Sequence, residues 1–174
     1  MEVAPFIERR REAAAAAWGL DDGVVLVEAG HELLVPGRGD RAYPFRAHSE
    51  YLYLTDRERP GGILAFDPGG GWTEFVEPVT AKELLWSGLE GDREGVPEGT
   101  RPLDELEDWL GGRPARRLGA AVEPDAELRN ELIRVRRPKD ELELERMRTA
   151  ARATEAGFAE LVTVIEPGRT ERDL

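Results

Sequence analysis

The sequence contains no cysteine and only two histidines among its 174 residues. Without cysteine, neither a disulfide nor a thiolate-bound zinc ion can hold the fold together, and a reducing, cytoplasmic setting is expected. The two histidines, His31 and His48, have no companion at the spacing of a known zinc motif. They are interpreted as a loop residue and a hydrogen-bonded turn residue. No metal ligand and no catalytic residue is assigned.

Positive charge is also scarce, since 24 Lys and Arg residues face 36 Asp and Glu, for a net charge of -12. Such a surface repels phosphate backbones and anionic lipid heads, which argues against nucleic-acid and membrane partners. No apolar run approaches the length of a membrane span, and charges interrupt the amino-terminal stretch between Glu8 and Glu12. A cytoplasmic protein is therefore expected.

Familiar catalytic patterns are missing as well. The triglycine run Gly69–Gly71 is followed by neither Lys-Ser nor Lys-Thr, so it indicates a hairpin turn and not a phosphate-binding loop. Ser49 and Ser87 lack the context of a nucleophile elbow. The plentiful carboxylates of 104–108 and 141–145 fall on solvated helix faces.

The chain does carry an alternation of helix patterns and short apolar runs. Helices are expected at 5–18, 81–85, 103–110 and from Asp125 to about Ile133, and strands at 24–27, 32–35, 51–55, 63–66, 72–76 and 118–122. The turn at 67–71 predicts that its two flanking strands are antiparallel neighbours. This order of elements predicts an α/β domain with a mixed sheet flanked by helices.

From Pro138 the character of the sequence changes to one long amphipathic helix. Its apolar residues Leu142, Met147, Ala150 and Phe158 recur at helical intervals, and we expect them to be exposed or covered by another copy of the chain. Pro167-Gly168 ends the pattern, and Thr170 is placed to cap another helix just before Leu174. We therefore expect an amino-terminal domain at 1–124, followed by 125–174 as a linker and the first helix of a truncated catalytic domain.

One dense cluster of polar and aromatic residues, YPFRAHSEYLYLT at 43–55, resembles the motif near the start of aminopeptidase P amino-terminal domains. The segments 60–64 and 83–88 are also similar to that family, as are positions 134–150 around the start of the long helix. Prolidases and creatinases share the architecture but usually lack this string. The chain departs from the family at Val79-Thr80 and Leu89-Glu90, where arginine-containing pairs are usual.

The resemblance implies a ribonuclease H-like fold of the creatinase amino-terminal type. It also implies a parent Xaa-Pro aminopeptidase, with two Mn²⁺ or similar ions held by two Asp, one His and two Glu of a catalytic domain that lies beyond this chain. The fragment itself is then inactive and holds no cofactor. Its expected partners are its own catalytic domain, further copies of itself, and peptides with proline in second position.

Four candidate site residues lie in the segments that resemble the aminopeptidase P family. By resemblance, Trp86 forms a wall beside peptide bound at a neighbouring subunit, although a core position is the open alternative. Tyr43, Arg46 and Ser49 are interpreted as a structural motif, with Arg46 and Ser49 bonded to backbone carbonyls or to an acid such as Asp56. Two other functions stay open: a prolidase amino-terminal domain, or a non-catalytic peptide-binding module of the same architecture.

Overall fold

A computed structural model describes residues 2–39, 41–81, 84–85, 95–166, 168, 170 and 172. The elements in chain order are α1 (Ala4–Trp18), β1 (Val24–Glu28), α2 (Ser49–Thr55), β2 (Ile63–Asp67), β3 (Gly71–Val76), β4 (Thr100–Pro102), a short 3-10 helix (Leu103–Glu105), α3 (Leu106–Leu110), β5 (Ala115–Gly119), α4 (Ala126–Arg136) and α5 (Glu141–Val164). Ile7–Arg137 form one compact unit, and Met1–Phe6 with Pro138–Leu174 form a second.

The strands of the compact unit form one mixed sheet of five strands in the order β4-β3-β2-β1-β5. Strand β2 is antiparallel to both β1 and β3, whereas β5 runs parallel to β1 and β4 runs parallel to β3. The β2–β3 pair is the predicted hairpin, and in its turn Asp67 accepts a hydrogen bond from the Gly69 amide. The predicted mixed sheet flanked by helices is confirmed.

Two apolar clusters cover the two faces of the sheet, because successive strand residues point to opposite sides. On one face, Val25 and Val27 pack with buried residues of α1, α2 and α4. On the other face, Val24 and Leu26 pack with Leu106 of the short α3 segment. The continuous valine-leucine run of β1 is thus explained by burial on both sides.

The expected strand at 51–55 is wrong, because these residues form helix α2. His48 caps its start by accepting a hydrogen bond from the Glu50 amide, and Asp56 ends it in the left-handed conformation with φ 58°. The alternating aromatic and leucine residues favoured a strand by propensity. Burial on several sides of the helix, including Tyr51 and Leu54, overrides that preference.

Two further strand predictions need correction. The expected strand at 32–35 is reduced to a single isolated bridge between Leu34 and Ala42. The strand expected at 118–122 begins and ends earlier, at Ala115–Gly119, because Gly119 leaves the sheet at φ 72°. Two consecutive charged residues, Arg116 and Arg117, hid the strand pattern, and in the fold Arg117 forms an ion pair with Glu28 of the neighbouring strand.

Helix α4 lies inside the compact unit, which therefore extends to Arg137 and beyond the boundary expected at 124. The predicted cap is present, because Asp125 accepts a hydrogen bond from the Leu128 amide. The physical reason for the longer unit is that Leu128 and Leu132 are fully buried members of the larger core cluster.

The second unit is dominated by α5, which begins with a capping box formed by Asp140 and Glu143. Of the four stripe residues expected to be exposed, Met147, Ala150 and Phe158 are exposed, whereas Leu142 is buried. Phe158 leaves 64% of its surface accessible. Throughout the described stretches, no helix combines the length and apolar character needed to cross a membrane.

Candidate functional site

The motif at 43–55 forms the approach to α2 and the helix itself. Arg46 is largely exposed and forms an ion pair with Glu58 at 3.1 Å, not with Asp56. The other oxygen of Glu58 accepts a hydrogen bond from the Ala47 amide at 2.6 Å. One carboxylate thus joins the loop before α2 to the loop after it.

Ser49 is the first residue of α2, and its hydroxyl accepts a hydrogen bond from Arg136 of α4 at 3.4 Å. Arg136 also lies over the ring of Tyr53, with its guanidinium carbon 5.3 Å from the ring centre. Tyr43 is exposed on the loop that precedes the helix. These contacts join parts of the fold, and a structural role for Tyr43, Arg46 and Ser49 stays a prediction.

Glu50, which the sequence did not single out, is the single carboxylate of the motif, and it is buried. One of its oxygens accepts a hydrogen bond from the Gly119 amide at 2.7 Å, and the other from Arg129 Nε at 2.9 Å. Arg129 donates in turn to the Gly119 carbonyl at 3.0 Å. A buried carboxylate is stable only when paired in this way, so Glu50 ties α2 to β5 and α4.

A second buried carboxylate, Glu74 of β3, also contacts a side chain of α2. The Tyr51 hydroxyl donates a hydrogen bond to one of its oxygens, and Arg57 forms an ion pair with the other at 3.0 Å. Burial and the negative charge of Glu74 both raise the pKa of Tyr51, so the phenol stays protonated. A Cβ atom at Gly62 would lie 2.4 Å from that hydroxyl, and only glycine leaves room for this network.

Two adjoining hollows of about 400 and 340 Å³ lie beyond the end of β1, and His31 and Gly61 line both. Glutamates predominate among the charged residues of the walls, which contain Glu28, Glu32, Glu77, Glu107, Arg59 and Arg117. Within the described residues, no group of three or more histidines and carboxylates is arranged to hold a metal ion. Among their described lining residues, the hollows present no nucleophile paired with a base.

Trp86 lies outside the described residues, so its predicted role as a substrate wall stays a prediction. On the helical turn that precedes it, Leu84 is half-buried and Leu85 is exposed. The sequence departures at Leu89-Glu90 also fall outside the described part of the chain.

A comparison with protein-family models matches residues 6–109 to the aminopeptidase P N-terminal domain. The chain belongs to this family. The match runs from α1 to α3 and includes the whole 43–55 motif, so the resemblance carried by that motif is confirmed.

Two curated relatives extend the similarity to aminopeptidase P proteins. Xaa-Pro aminopeptidase 1 of Streptomyces coelicolor is 27% identical over 79% of this chain, and Xaa-Pro aminopeptidase 2 of the same organism is 29% identical over 92%. The chain spans 36% and 40% of the lengths of these relatives. It therefore corresponds to well under half of either protein.

Solved structures show the same fold. The aminopeptidase PepP of Pseudomonas aeruginosa superposes with a TM-score of 0.53 at 19% identity, over 78% of this chain and 32% of that one. The mixed sheet, its helices and the long helix at the end match this architecture. The chain is thus the amino-terminal domain of an aminopeptidase P-like protein.

Proposed function

We propose that this chain belongs to a longer Xaa-Pro aminopeptidase, in which it guides assembly and limits access to the active site. The observation that carries the proposal is the family match over residues 6–109. It is supported by relatives that are named Xaa-Pro aminopeptidases and that extend well beyond the matched length. Proline in second position fixes the backbone and removes an amide proton, so such peptides need a dedicated enzyme.

The hydrolytic chemistry is assigned to a domain outside this sequence. A pair of Mn²⁺ or similar ions supplies an activated water and polarises the scissile carbonyl in two-metal hydrolysis. The side chains described here do not fit such a pair, since no cluster of three or more ligating residues is formed among them. What this chain contributes is a scaffold whose elements are tied together by the Glu50 and Glu74 networks.

Two further elements of the proposal concern partners and location. We propose that the parent assembles as a homo-oligomer in the cytoplasm, which is consistent with a cysteine-free composition. Trp86 is proposed to pack beside the proline ring of bound peptide, because a flat indole offers a large, rigid apolar surface.

Peptide hydrolysis by the longer parent protein tests the proposal. With Mn²⁺ added, we expect it to cleave a Gly-Pro peptide at the first bond and to leave a matched Gly-Ala peptide nearly intact. The 174-residue chain alone is expected to cleave neither and to bind Mn²⁺ no more tightly than a surface carboxylate does. Equal cleavage of both peptides, or turnover by the short chain, would overturn the proposal.

Variants of the parent protein separate binding from scaffold roles. Trp86→Ala is expected to raise KM for Xaa-Pro peptides while kcat and thermal stability change little, as when a binding contact is removed. Arg46→Ala serves as the matched control, because loss of its ion pair with Glu58 affects the loops beside α2. It should lower stability modestly and leave KM unchanged. A folding defect in Trp86→Ala would instead support the core position.

A further inference from the structure

The two edges of the five-stranded sheet end in different ways. In the sheet formed by the described residues, β4 is one edge and β5 is the other. Strand β4 has only three residues, and the last of them is Pro102, which has no amide hydrogen to donate. A short strand that ends in proline is a poor template for a further strand. Strand β5 has five residues and no proline, so neither of these features protects its edge.

The backbone of β5 presents alternate residues to the outside of the sheet. The Val24 amide donates to the Pro114 carbonyl at 3.4 Å, and the Ala120 amide donates to the Glu28 carbonyl at 3.0 Å. Even-numbered residues along β5 therefore pair with β1, because the backbone groups of successive strand residues point to opposite sides. The backbone groups that point away from β1, toward the free edge, belong to residues 115, 117 and 119.

Both outward groups of Gly119 are bonded to side chains. Its amide donates to Glu50 at 2.7 Å, and its carbonyl accepts from Arg129 at 3.0 Å. The two side chains are joined to each other by a hydrogen bond of 2.9 Å from Arg129 Nε to Glu50. One residue of a neighbouring antiparallel strand would make the same pair of bonds, with its carbonyl as acceptor and its amide as donor. The Glu50–Arg129 pair thus takes the place of a strand residue.

The residue two positions earlier on this edge is covered as well. The Asp125 amide donates to the Arg117 carbonyl at 2.8 Å, so the segment that leads into α4 lies along the strand. Arg116 holds the Asp125 carboxylate through two hydrogen bonds of 2.7 and 2.8 Å, which fixes this segment in place. The outward-facing residues at the carboxyl end of β5 are therefore bonded within the domain.

We propose that Glu50 and Arg129 form a plug that prevents a strand of a second polypeptide from adding to the β5 edge. An open edge binds such a strand through main-chain hydrogen bonds, which every extended polypeptide can make. Glu50 is buried, and a buried ion pair is often no more stable than an apolar pair of similar size. Protection of the edge gives this pair a role besides stability. The proposal does not depend on the proposed peptidase function.

Replacement of the whole pair tests the plug in the 174-residue chain. Variant E50L/R129M removes both charges together, so no lone buried charge remains, and it leaves the Gly119 amide and carbonyl without these partners. We expect it to fold and to self-associate at least about tenfold more tightly than the unmodified chain, which is the net effect of one or two added hydrogen bonds. Variant R129K keeps a cationic donor beside Glu50 and should associate as the unmodified chain does.

Analytical ultracentrifugation measures the association, and infrared spectroscopy of the amide band shows whether it proceeds through intermolecular β-sheet. Adding Ala115→Pro to E50L/R129M removes an outward amide hydrogen at the first residue of β5, where proline is tolerated, and should reverse the gain. Variant E141L/R148M replaces an exposed ion pair of α5 by the same two residues, so it controls for added apolar surface. It should form no intermolecular β-sheet.

Cooperative urea unfolding establishes that each variant is folded. The plug is overturned if folded E50L/R129M associates no more tightly than the unmodified chain, or if Ala115→Pro leaves its association unchanged. Should E50L/R129M fail to fold, R129A decides, because it opens the Gly119 carbonyl and leaves the bond from the Gly119 amide to Glu50 in place. Folded R129A is expected to gain intermolecular β-sheet to a smaller extent, and no gain would equally overturn the plug.

Discussion

The compact unit, Ile7–Arg137, and the long helix α5 are stabilised in different ways. The compact unit buries two apolar clusters and two carboxylates, and each of those carboxylates is held by partners distant in sequence. Helix α5 relies on its capping box and on exposed ion pairs such as Arg148 with Glu141 at 2.9 Å. Exposed pairs of this kind contribute little to stability, because water screens them.

The two parts of the chain therefore differ in how far their own contacts determine their structures. A domain with filled cores and paired buried charges specifies its own fold. A helix whose apolar residues Met147 and Phe158 remain exposed has an unsatisfied face, and its stability depends mainly on local effects. Substitutions should therefore have large, long-range effects in the compact unit and small, local effects in α5.

The largest effect is expected from Gly119→Ala. Gly119 has φ 72°, and a Cβ atom there would lie 2.2 Å from the Glu28 carbonyl oxygen. Because the alanine would strain the backbone and also clash with the backbone of Glu28, we expect the free energy of unfolding to fall by more than about 4 kcal/mol. Urea unfolding followed by tryptophan fluorescence measures this, since all four tryptophans precede residue 110.

Two other glycines provide matched controls for Gly119→Ala. Gly71→Ala meets a positive φ of 79° but no neighbouring atom, and is expected to cost only about 1–2 kcal/mol. Gly157→Ala lies in α5 with open space around it and should stabilise that helix by about 1 kcal/mol. If all three variants unfold alike, the clash with Glu28 does not determine the stability of the compact unit.

The second-largest loss of stability is expected when the buried Glu50 is replaced. Glu50→Gln keeps the shape but removes the buried charge that faces Arg129, so this half-buried cation loses its charged partner. We expect a loss of about 2–4 kcal/mol, measured by the same urea unfolding experiment. Glu145→Gln in α5 is the control, because its arginine partners are exposed, and it should change stability by less than about 0.5 kcal/mol. Similar losses for both variants would contradict the distinction between the two regions.

Sequence patterns predicted the features of this fold that are local. The valine-leucine run of β1, the turn at 67–71 and the cap at Asp125 each depend on residues a few positions apart. The 43–55 motif also indicated the correct family, although its last five residues were assigned to a strand. That error arose because the spacing of Tyr51 and Tyr53 fits a strand. The helix α2 is stabilised by packing against elements that are distant in sequence, which the local pattern does not reveal.

The buried networks could not be predicted from the sequence for the same reason. Glu50 is 69 residues from Gly119 and 79 from Arg129, and only the assembled sheet brings them together. A single glutamate in a charged chain gives no local sign of burial. The hollows beside His31 likewise depend on how loops from separate elements meet.

A smaller effect is expected at the start of α5. Asp140 accepts a hydrogen bond from the Glu143 amide at 2.9 Å, and Glu143 accepts one from the Asp140 amide at 3.2 Å. Asp140→Ala removes the cap and should lower local helix stability by about 1 kcal/mol. Hydrogen exchange of the first turn of α5 is expected to quicken severalfold, while urea unfolding of the compact unit stays unchanged. Asp140→Asn should retain most of the protection, since an amide oxygen also caps.

The smallest effect is a pH dependence that we expect in the compact unit and not in α5, which contains no histidine. Burial lowers the pKa of His48 below its ordinary value of 6.5; Glu50 opposes this shift, while Arg129 and Arg136 add to it. The unfolded chain therefore binds the proton more readily than the folded one. Stability should be complete above about pH 6.5 and decline as the pH falls below that value.

Protonation also removes the ring nitrogen that accepts the Glu50 amide hydrogen bond at 3.3 Å. The loss between pH 7 and 5 should not exceed the roughly 1 kcal/mol that a helix cap contributes. His48→Asn keeps an acceptor at the cap and cannot titrate, so its urea midpoint should vary less over this range. An unchanged pH slope in His48→Asn would show that His48 is not the titrating group, and other groups of the compact unit would then have to account for the dependence.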